Sequence, residues 1–290
     1  MTVMTEWNCG WRSRPARRCR DYTAVMTRIA CCQIAPALGA PDANGGLIVG
    51  QIRAAVTDGA DVIVLPELAT SGYMFRDAEE ARSVALPATA EPFADWIAAA
   101  GDAIVIGGFP ESGPDGLLYN SAVMLDGSGV LGFYRKSHLW DREKLIFTPG
   151  ADAPQVLATR HGAIAVMICY DVEFPELTRP VALAGAELIA APVNWPLFPR
   201  PDGEHPGEVI NAMATARASK VAVACCDRTG VERGQPWTEG SVVVSPDGWV
   251  LDSVGRGAGI AIADVDLTVT HDKSLTEHVD LFGDRRPELY

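Results

Sequence analysis

The sequence predicts an α/β fold in which two mixed β-sheets pack face to face with helices on the outside. Short runs rich in Val and Ile alternate with segments of helical periodicity, which indicates strands linked by helices. Each half of the chain also carries a hairpin signal, DGSG at 126–129 and SPDG at 245–248, so antiparallel pairs accompany the parallel ones. Because the two halves repeat the same order of elements, we expect one sheet from each half.

The first half begins with a strand, continues through two helices and ends in a hairpin. Its strands are predicted where the apolar runs lie, at 28–34, 61–65, 103–109, 118–125 and 130–134. The first helix is predicted because five apolar residues fall on one helical face: Leu47, Ile48, Ile52, Ala55 and Val56. Four more predict the second helix: Phe93, Trp96, Ile97 and Ala100. The turn at 126–129 joins the last two strands.

The second half follows the same plan. Its strands are predicted at 163–168, 187–192, 220–226, 240–244, 249–253 and 260–265, and its helices at 175–184 and 207–219. No linker rich in Pro, Gly or Ser divides the two halves, so residues 26–290 are predicted to form a single domain. The tail from about 267 to 290 is polar with little periodicity, which is typical of a segment that is frayed or docked on a partner subunit.

Composition excludes several classes of function. With 290 residues, 48% hydrophobic, the chain has ample length for a large core. A net charge of −13 disfavours nucleic acid and anionic membranes as partners. The apolar runs are far shorter than the roughly 20 residues of a transmembrane helix. The seven cysteines include two adjacent pairs and no CxxC, which indicates neither a disulfide framework nor a zinc site and predicts a cytoplasmic protein.

The first 25 residues differ from the rest. They carry a cluster of arginines: Arg12, Arg14, Arg17, Arg18 and Arg20. The segment lacks the apolar core of a secretory signal and shows no clear amphipathic pattern. Met26 opens directly onto the first strand. We therefore predict that folding starts near Met26 and that residues 1–25 are a disordered extension, either from an upstream start or as a flexible tail.

Three polar residues stand where strands end. Cys169 follows the apolar run 163–168, and by itself it suits a buried structural thiol. Glu67 follows the strand at 61–65 after a proline, where burial would raise its pKa and make it a usable base, although a loop acid paired with an arginine is the alternative. Lys136 is ordinarily a solvated strand-end residue. Near a thiol, however, its ammonium would lower the cysteine pKa and stabilise charge on a carbonyl oxygen.

These residues lie in three segments that together resemble the nitrilase superfamily of carbon–nitrogen hydrolases, in its amidase-like branch. The segments are LPELATSGY at 65–73, YRKSHLWDREKLIFTPG at 134–150 and ICYDVEFPE at 168–176. The resemblance extends from Met26 to about Val265. It implies a nitrilase-like, four-layer α-β-β-α sandwich. It also implies subunits that pair through helices, and hence a homodimer or a higher homo-oligomer.

The resemblance assigns a role to each matching position. Cys169 is implied as the nucleophile, Glu67 as the general base and Lys136 as the cation that stabilises the tetrahedral intermediate. Glu143 matches a second family glutamate, which orients the substrate or Lys136. The backbone N–H of Tyr170 completes the oxyanion hole with the lysine. This chemistry requires no metal and no organic cofactor.

Five further residues are predicted to bind substrate. Asn194 and Trp195 leave the strand at 187–192 at the same sheet edge, with a purely structural role as the alternative. Tyr73 and Trp140 are expected as aromatic pocket walls or as core. Glu173 stands where many relatives carry arginine, and an acid near the mouth favours a neutral or cationic substrate.

Other tempting residues are assigned structural roles. His138 is expected to make structural hydrogen bonds, because the implied triad leaves it no catalytic task. The paired cysteines in strands are expected to be inert core: Cys31, Cys32, Cys225 and Cys226. Arg217 and Glu208 are expected to be solvated or to face a partner subunit.

The predicted reaction is hydrolysis of a small aliphatic amide to a carboxylate and ammonia through a cysteine thioester. Hydrolysis of an N-carbamoyl amine or amino acid is the first alternative, and it would also release carbon dioxide. A nitrilase is the second, since the same triad serves both. A catalytically silent scaffold subunit is the non-enzymatic alternative, and the presence of all three residues argues against it.

Overall fold

A computed structural model describes residues 26–289 of the chain. The predicted extension, residues 1–25, lies outside the described residues, as does Tyr290. Within residues 26–289, no helix is long and apolar enough to cross a membrane.

The described residues form strands and helices close to the predicted positions. The strands are β1 (Thr27–Gln33), β2 (Val62–Val64), β3 (Ile104–Ser112), β4 (Leu118–Asp126), β5 (Gly129–Arg135), β6 (Val156–Thr159), β7 (Gly162–Val166), β8 (Leu188–Pro192), β9 (Ala222–Cys226), β10 (Val231–Glu232), β11 (Gln235–Pro236), β12 (Val242–Val244), β13 (Val250–Ser253), β14 (Gly259–Val265), β15 (Ser274–Thr276) and β16 (Val279–Asp280). The α-helices are α1 (Pro41–Thr57), α2 (Ala78–Arg82), α3 (Ala94–Ala100), α4 (Pro175–Leu183) and α5 (Gly207–Ser219). Short 3₁₀ helices lie at Glu91–Phe93, Asp141–Leu145, Cys169–Glu173, Leu267–His271 and Pro287–Leu289.

Two six-stranded sheets organise the molecule. The first has the strand order β14-β1-β2-β3-β4-β5 and the second β13-β12-β9-β8-β7-β6. In the first sheet β1, β2 and β3 are parallel, whereas β14, β4 and β5 pair antiparallel. In the second sheet β7, β8 and β9 are parallel, and β6, β12 and β13 are antiparallel. Both sheets are therefore mixed, and each half of the chain builds most of one sheet.

The layers follow from the alternation of side chains along each strand. In β1, Ile29 and Cys31 belong to the core between the two sheets, while Ala30 and Cys32 pack in the core beneath α1 and α3. Helices α4 and α5 contact each other, and α5 covers β9 and β12 of the second sheet. The order of layers is thus helix, sheet, sheet, helix, which confirms the predicted fold class.

The buried face of α1 differs from the predicted one. Ile48, Ile52 and Ala55 are buried as expected, but Leu47 and Val56 are each 36% exposed. The polar side chain of Asn44 occupies the buried face instead and donates to the carbonyl of Thr70. Residues 44, 48, 52 and 55 are spaced by three or four and therefore lie on one face of the helix, with Leu47 and Val56 at the edges of that face.

Several short elements have no counterpart in the sequence prediction. These are α2, the edge strand β6 and the two-stranded pairs β10–β11 and β15–β16. Elements of two to five residues are too short to show a period, so pattern reading cannot separate them from loops.

The C-terminal segment is folded against its own chain rather than frayed. Lys273 Nζ donates to the carbonyls of Ser219 and Lys220 at 3.3 and 2.8 Å, at the C-terminal end of α5. Lys220 Nζ in turn donates to the carbonyl of Ser274 at 3.0 Å. Lysine near the last carbonyls of a helix satisfies groups that would otherwise lack partners. Docking of this segment on a partner subunit stays a prediction.

Candidate active site

Glu67, Lys136 and Cys169 each lie just beyond the end of a strand, after β2, β5 and β7. Glu67 and Lys136 have no exposed surface, and Cys169 is 6% exposed. The charges of Glu67 and Lys136 both act on the pKa of Cys169. The structure therefore brings the three predicted residues into one buried cluster.

Lys136 is held between two carboxylates. Its Nζ donates to Glu67 Oε1 at 2.6 Å and to Glu143 Oε1 at 2.8 Å. Burial by itself would lower the pKa of Lys136, but Glu143 and Glu67 together raise it well above its ordinary value. Lys136 is therefore a permanently charged ammonium.

Glu143 is saturated with hydrogen-bond donors. Besides Lys136, the hydroxyl of Tyr73 donates to its Oε1 at 2.5 Å, and the backbone N–H of Trp140 donates to its Oε2 at 2.9 Å. Both oxygens therefore have partners that are fixed by the fold. Donors on both oxygens hold the carboxylate in one position.

Glu67 differs from Glu143 in having one free oxygen. Its Oε1 accepts from Lys136 and, at 2.7 Å, from Asn120 Nδ2. Its Oε2 is buried and has no hydrogen-bond partner among the described residues. Burial raises the pKa of Glu67 to about 8, against the opposing charge of Lys136. A carboxyl with a free oxygen and a pKa near neutrality has the properties of a general base.

Cys169 sits at a sharp turn from strand to helix. It is the first residue of the 3₁₀ helix Cys169–Glu173, and its φ of +49° lies in the left-handed region. Its Sγ lies 4.0 Å from the carbonyl oxygen of Asn194. Burial and the charge of Glu67 raise the pKa of the thiol well above its usual value, and Lys136 only partly opposes them. The expected lowering by the lysine is therefore outweighed, and the thiol at rest is neutral.

Asp171, which sequence reasoning missed as a site residue, joins the lysine segment to the cysteine segment. Its Oδ1 accepts from the backbone N–H of His138 at 2.9 Å and pairs with Nδ1 of the same residue at 2.8 Å. Its Oδ2 accepts from Tyr134 at 2.8 Å and from the N–H of Ile168 at 3.2 Å. His138 also stacks on Phe174 at 3.8 Å. His138 thus has the structural role that the sequence predicts.

Two adjoining cavities lie beside this cluster. The inner one is about 90 Å³, and its walls include Tyr73, Trp140 and Glu143. The outer one is about 550 Å³, and Trp140 and Tyr170 line it. Its remaining walls are Asp141, Lys144, Pro196, Leu197, Phe198 and Gln235. The predicted aromatic walls, Tyr73 and Trp140, therefore border these cavities.

Asn194 and Trp195 are buried behind the site. Asn194 Nδ2 donates to the backbone carbonyl of Glu67 at 2.7 Å. The N–H of Trp195 donates to Asp227 Oδ1 at 3.0 Å, and neither Asn194 nor Trp195 lines either cavity. Asn194 thus contacts both Glu67 and Cys169, whereas the hydrogen bond of Trp195 is to Asp227.

Glu173 does not border either of the two cavities. It is exposed at the far end of the 3₁₀ helix. Partial desolvation by the neighbouring protein atoms and the charge of Glu208 on α5 raise its pKa. The five-residue helix turns Glu173 toward α5, so its charge gives no basis for predicting the charge of the substrate.

Asn120 is a second site residue that sequence reasoning missed. It lies within β4, has no exposed surface, and its Nδ2 approaches both glutamates, at 2.7 Å from Glu67 and 3.4 Å from Glu143. The available signal was a lone amide in the fully buried strand Leu118–Asp126, where an unpaired polar group would be costly.

Several known proteins are similar to this chain in sequence. A sequence model described as carbon–nitrogen hydrolase matches residues 28–272. The chain is 35% identical to a nitrilase of Pyrococcus abyssi over 271 residues, covering 91% of this chain and 99% of that protein. It is 30% identical to the deaminated glutathione amidase of Homo sapiens over 282 residues, covering 90% and 83%.

Solved structures of an amidase are similar to this chain in fold. The fold is similar to that of the amidase from Nesterenkonia sp. AN1, with a TM-score of 0.74 and 28% identity over 91% of this chain and 95% of that one. That structure shows the acetamide moiety of fluoroacetamide covalently added at the active-site cysteine.

Proposed function

The chain belongs to the carbon–nitrogen hydrolase family, within the nitrilase superfamily, and from this premise we propose that it hydrolyses a small aliphatic amide to a carboxylate and ammonia. One observation carries the proposal. Of the two carboxylates that contact Lys136, Glu143 has donors on both oxygens, whereas Glu67 keeps Oε2 free. Only Glu67 can therefore exchange a proton without breaking an existing hydrogen bond.

The first half of the reaction forms a thioester. As Cys169 Sγ attacks the carbonyl carbon, Glu67 Oε2 takes the thiol proton and the carbonyl π electrons move onto oxygen. The ammonium of Lys136 and the backbone N–H of Tyr170 stabilise the resulting oxyanion. The intermediate then collapses, the C–N bond breaks, and Glu67 returns the proton to nitrogen so that ammonia leaves.

The second half restores the enzyme. Glu67 Oε2 takes a proton from water as the water oxygen attacks the thioester carbon. When this second intermediate collapses, the C–S bond breaks and Glu67 returns the proton to the sulfur of Cys169. The carboxylic acid product ionises on release. In both halves the same carboxyl group accepts and then donates one proton, for which a pKa of about 8 is suitable.

The cavities support a small acyl group, although the charged side chains Asp141 and Lys144 also line the outer cavity. The outer cavity is lined on one side by Trp140 and Tyr170, whose rings lie 4.9 Å apart, and on another by Leu197 and Phe198. A cysteine-to-alanine mutant of the Nesterenkonia sp. AN1 amidase, a relative at 28% identity, has been solved in complex with butyramide. An amine on the substrate, which Glu173 was expected to favour, has no support from the position of that residue.

Two other reactions within the family are alternatives, and the substrate panel described below distinguishes them from amide hydrolysis. One relative, from Solanum tuberosum, is named N-carbamoylputrescine amidase and is 32% identical over 263 residues. The relative from Pyrococcus abyssi is named a nitrilase. A silent scaffold is disfavoured because the complete set of hydrogen bonds among Glu67, Lys136 and Glu143 is present.

The test is a panel of simple amides, N-carbamoyl compounds and nitriles scored for release of ammonia and carbon dioxide. We expect ammonia from amides, and none from Cys169→Ala. Cys31→Ala is the matched control, since it removes a buried thiol from the core and should keep its activity. Absence of ammonia from every compound, or equal release by Cys169→Ala, would refute the proposal.

A further inference from the structure

Three buried oxygen atoms around Glu67 have no hydrogen-bond donor among the described residues. They are Oε2 of Glu67 itself and the side-chain Oδ1 atoms of Asn120 and Asn194. Buried polar atoms without partners are uncommon in folded proteins, and each one calls for an explanation. Three in one place indicate that the missing donors arrive with a ligand.

Both asparagines are fixed through their amide nitrogens. Asn120 Nδ2 donates to Glu67 Oε1 and Asn194 Nδ2 donates to the backbone carbonyl of Glu67, each at 2.7 Å. Because a backbone carbonyl can only accept and Glu67 Oε1 already accepts from Lys136, the nitrogen of each side chain must face its partner and the oxygen must face elsewhere. The backbone oxygen of Asn194 lies 4.0 Å from Cys169 Sγ, so this residue borders the nucleophile as well as the base.

We propose, building on the amide hydrolysis proposed above, that Asn120 and Asn194 are specificity-determining residues for the leaving group. Their Oδ1 atoms accept hydrogen bonds from the N–H groups of the scissile amide. The site therefore selects primary amides, and ureido groups with the same NH₂, over nitriles and esters. A nitrile or ester brings no N–H to this position, so it leaves both oxygens without a donor.

The asparagines discriminate in a way that Glu67 cannot. A carboxyl group that has taken up a proton becomes a donor, so Glu67 could bind a nitrile nitrogen in its acid form. An amide oxygen accepts hydrogen bonds in every protonation state near neutral pH. A site built to hydrogen-bond a substrate N–H rejects an analogue without it by up to about 10⁴-fold.

The test measures binding to Cys169→Ala, which cannot form the thioester. Dissociation constants are determined by ligand-observed NMR for butyramide, N-methylbutyramide, methyl butyrate and butyronitrile. The second and third ligands are a matched pair, since they have the same shape and differ by one N–H. We expect butyramide to bind at least about tenfold more tightly than butyronitrile, and N-methylbutyramide at least about tenfold more tightly than methyl butyrate.

Variants then assign the effect to the two residues. In the Cys169→Ala background, Asn120→Ala and Asn194→Ala should each bring the ratio for the matched pair closer to one. Asn211→Ala is the control: this asparagine of α5 donates to the carbonyl of Val172, outside the cluster, and the ratio should not change. Thermal melting shows whether each variant is folded. If an asparagine variant does not fold, the dissociation constants of the four ligands for Cys169→Ala, which keeps both asparagines, test the inference.

Each contrary outcome has a distinct meaning. Amide and ester that bind within about twofold of each other, while the wild type still releases ammonia from butyramide, would overturn this inference and leave the proposed function standing. That result would mean that ordered water satisfies the two oxygens. A matched-pair ratio that is unchanged in both asparagine variants would likewise overturn the inference alone. No binding of any ligand, with no ammonia released, would overturn the proposed function and this inference with it.

Discussion

Lys136 Nζ lies 2.6 Å from Glu67 Oε1, and neither side chain has any surface exposed to solvent. A second buried carboxylate, Glu143, lies 2.8 Å from the same ammonium. Charges buried at this depth are tolerated only when each has a partner. One lysine therefore offsets two carboxylates, and the stability of the site depends on it.

Replacing Lys136 by methionine should destabilise the fold as well as abolish activity. The variant leaves Glu67 and Glu143 buried without a cation, and removing one partner of a buried ion pair costs about 3–5 kcal/mol. We expect the melting temperature at pH 9, above the pKa of about 8 of Glu67, to fall by roughly 10 °C, measured by circular dichroism. Adding Glu67→Gln should recover part of the loss.

Arg28→Ala is the control for this prediction. Arg28 and Asp264 form an exposed ion pair at 2.7 Å, and exposed pairs contribute little to stability. Its melting temperature should stay close to that of the wild type. A Lys136→Met variant that melts with the wild type would contradict the argument that the ammonium neutralises both carboxylates.

The pH dependence of the reaction should report Glu67. Burial raises the pKa of this carboxyl from 4.5 to about 8, and the base form exists above that pKa. The value of kcat/KM should therefore rise with pH, about tenfold per unit below 8, and level off above it. Lys136, whose pKa is raised well above 10.5, adds no titration in this range. Initial rates of ammonia release between pH 5.5 and 9.5 measure the profile.

Glu173→Gln separates this titration from that of another carboxyl. Partial desolvation and the charge of Glu208 also raise the pKa of Glu173, but its side chain lines neither cavity. The inflection should stay in place in this variant. A wild-type profile that is flat between pH 6 and 9 would show that Glu67 is not the titrating base.

The stability of the fold should fall as pH rises, whereas kcat/KM should increase. A carboxyl whose pKa is raised on folding stabilises the fold fully below its unfolded pKa, and this contribution is lost as pH rises through the folded pKa. For Glu67 the window runs from about 4.5 to about 8, and for the buried Asp227 from 3.8 to about 7. The free energy of unfolding should decline across pH 5 to 8, and less steeply in Glu67→Gln. Urea titrations at each pH measure it, and equal slopes would contradict the shift.

The sequence predicts the strands that position the site better than it predicts the hydrogen bonds among the site residues. Strands β2, β5 and β7 are recognisable because each is a short apolar run, and the polar residue after each run then stands at a sheet edge. The convergence of Glu67, Lys136 and Cys169 was predicted from the resemblance of three segments, because hydrophobic periodicity does not give the order of strands in a sheet. Their distances follow from the packing of one sheet on the other.

Contacts made within buried strands were the part that sequence reasoning missed. Asn120 occupies a strand position that reads as core, so its role becomes visible only when Glu67 lies 2.7 Å away. The direction of the Glu173 side chain was not predictable either, because proximity to Cys169 in sequence does not fix the direction in which a short 3₁₀ helix turns its last residue.

Asp171→Asn should lower kcat with little change in KM. Asp171 links His138, two residues after Lys136, to Ile168, one residue before Cys169. The substitution replaces one accepting oxygen by an NH₂ group that faces donors, so the lysine and cysteine segments should shift relative to each other. A displacement of the nucleophile of this kind can cost about 100-fold in rate. Steady-state kinetics on the preferred amide measure the two parameters.

Tyr134→Phe is the graded comparison for Asp171→Asn. It removes one hydrogen bond to Asp171 Oδ2 and keeps the aromatic ring in place. Its kcat should fall less than that of Asp171→Asn. If Asp171→Asn raised KM and left kcat unchanged, Asp171 would act on substrate binding rather than on the position of the nucleophile.

Two tyrosines allow a controlled test of the hydrogen bond to Glu143. Tyr73 and Tyr119 each donate to a carboxylate at 2.5 Å, Tyr73 to Glu143 beside Lys136 and Tyr119 to Asp115 away from the site. Tyr73→Phe removes one donor from Glu143, which then holds Lys136 less firmly where the oxyanion forms. A hydrogen bond to a charged group contributes about 1.5–3 kcal/mol, so kcat/KM should fall roughly 10- to 100-fold. Tyr119→Phe makes the same chemical change and should leave kcat/KM as in the wild type. Equal effects of the two substitutions would show that the loss is one of general stability, and that the Tyr73 hydroxyl does not position Glu143 and Lys136 for catalysis.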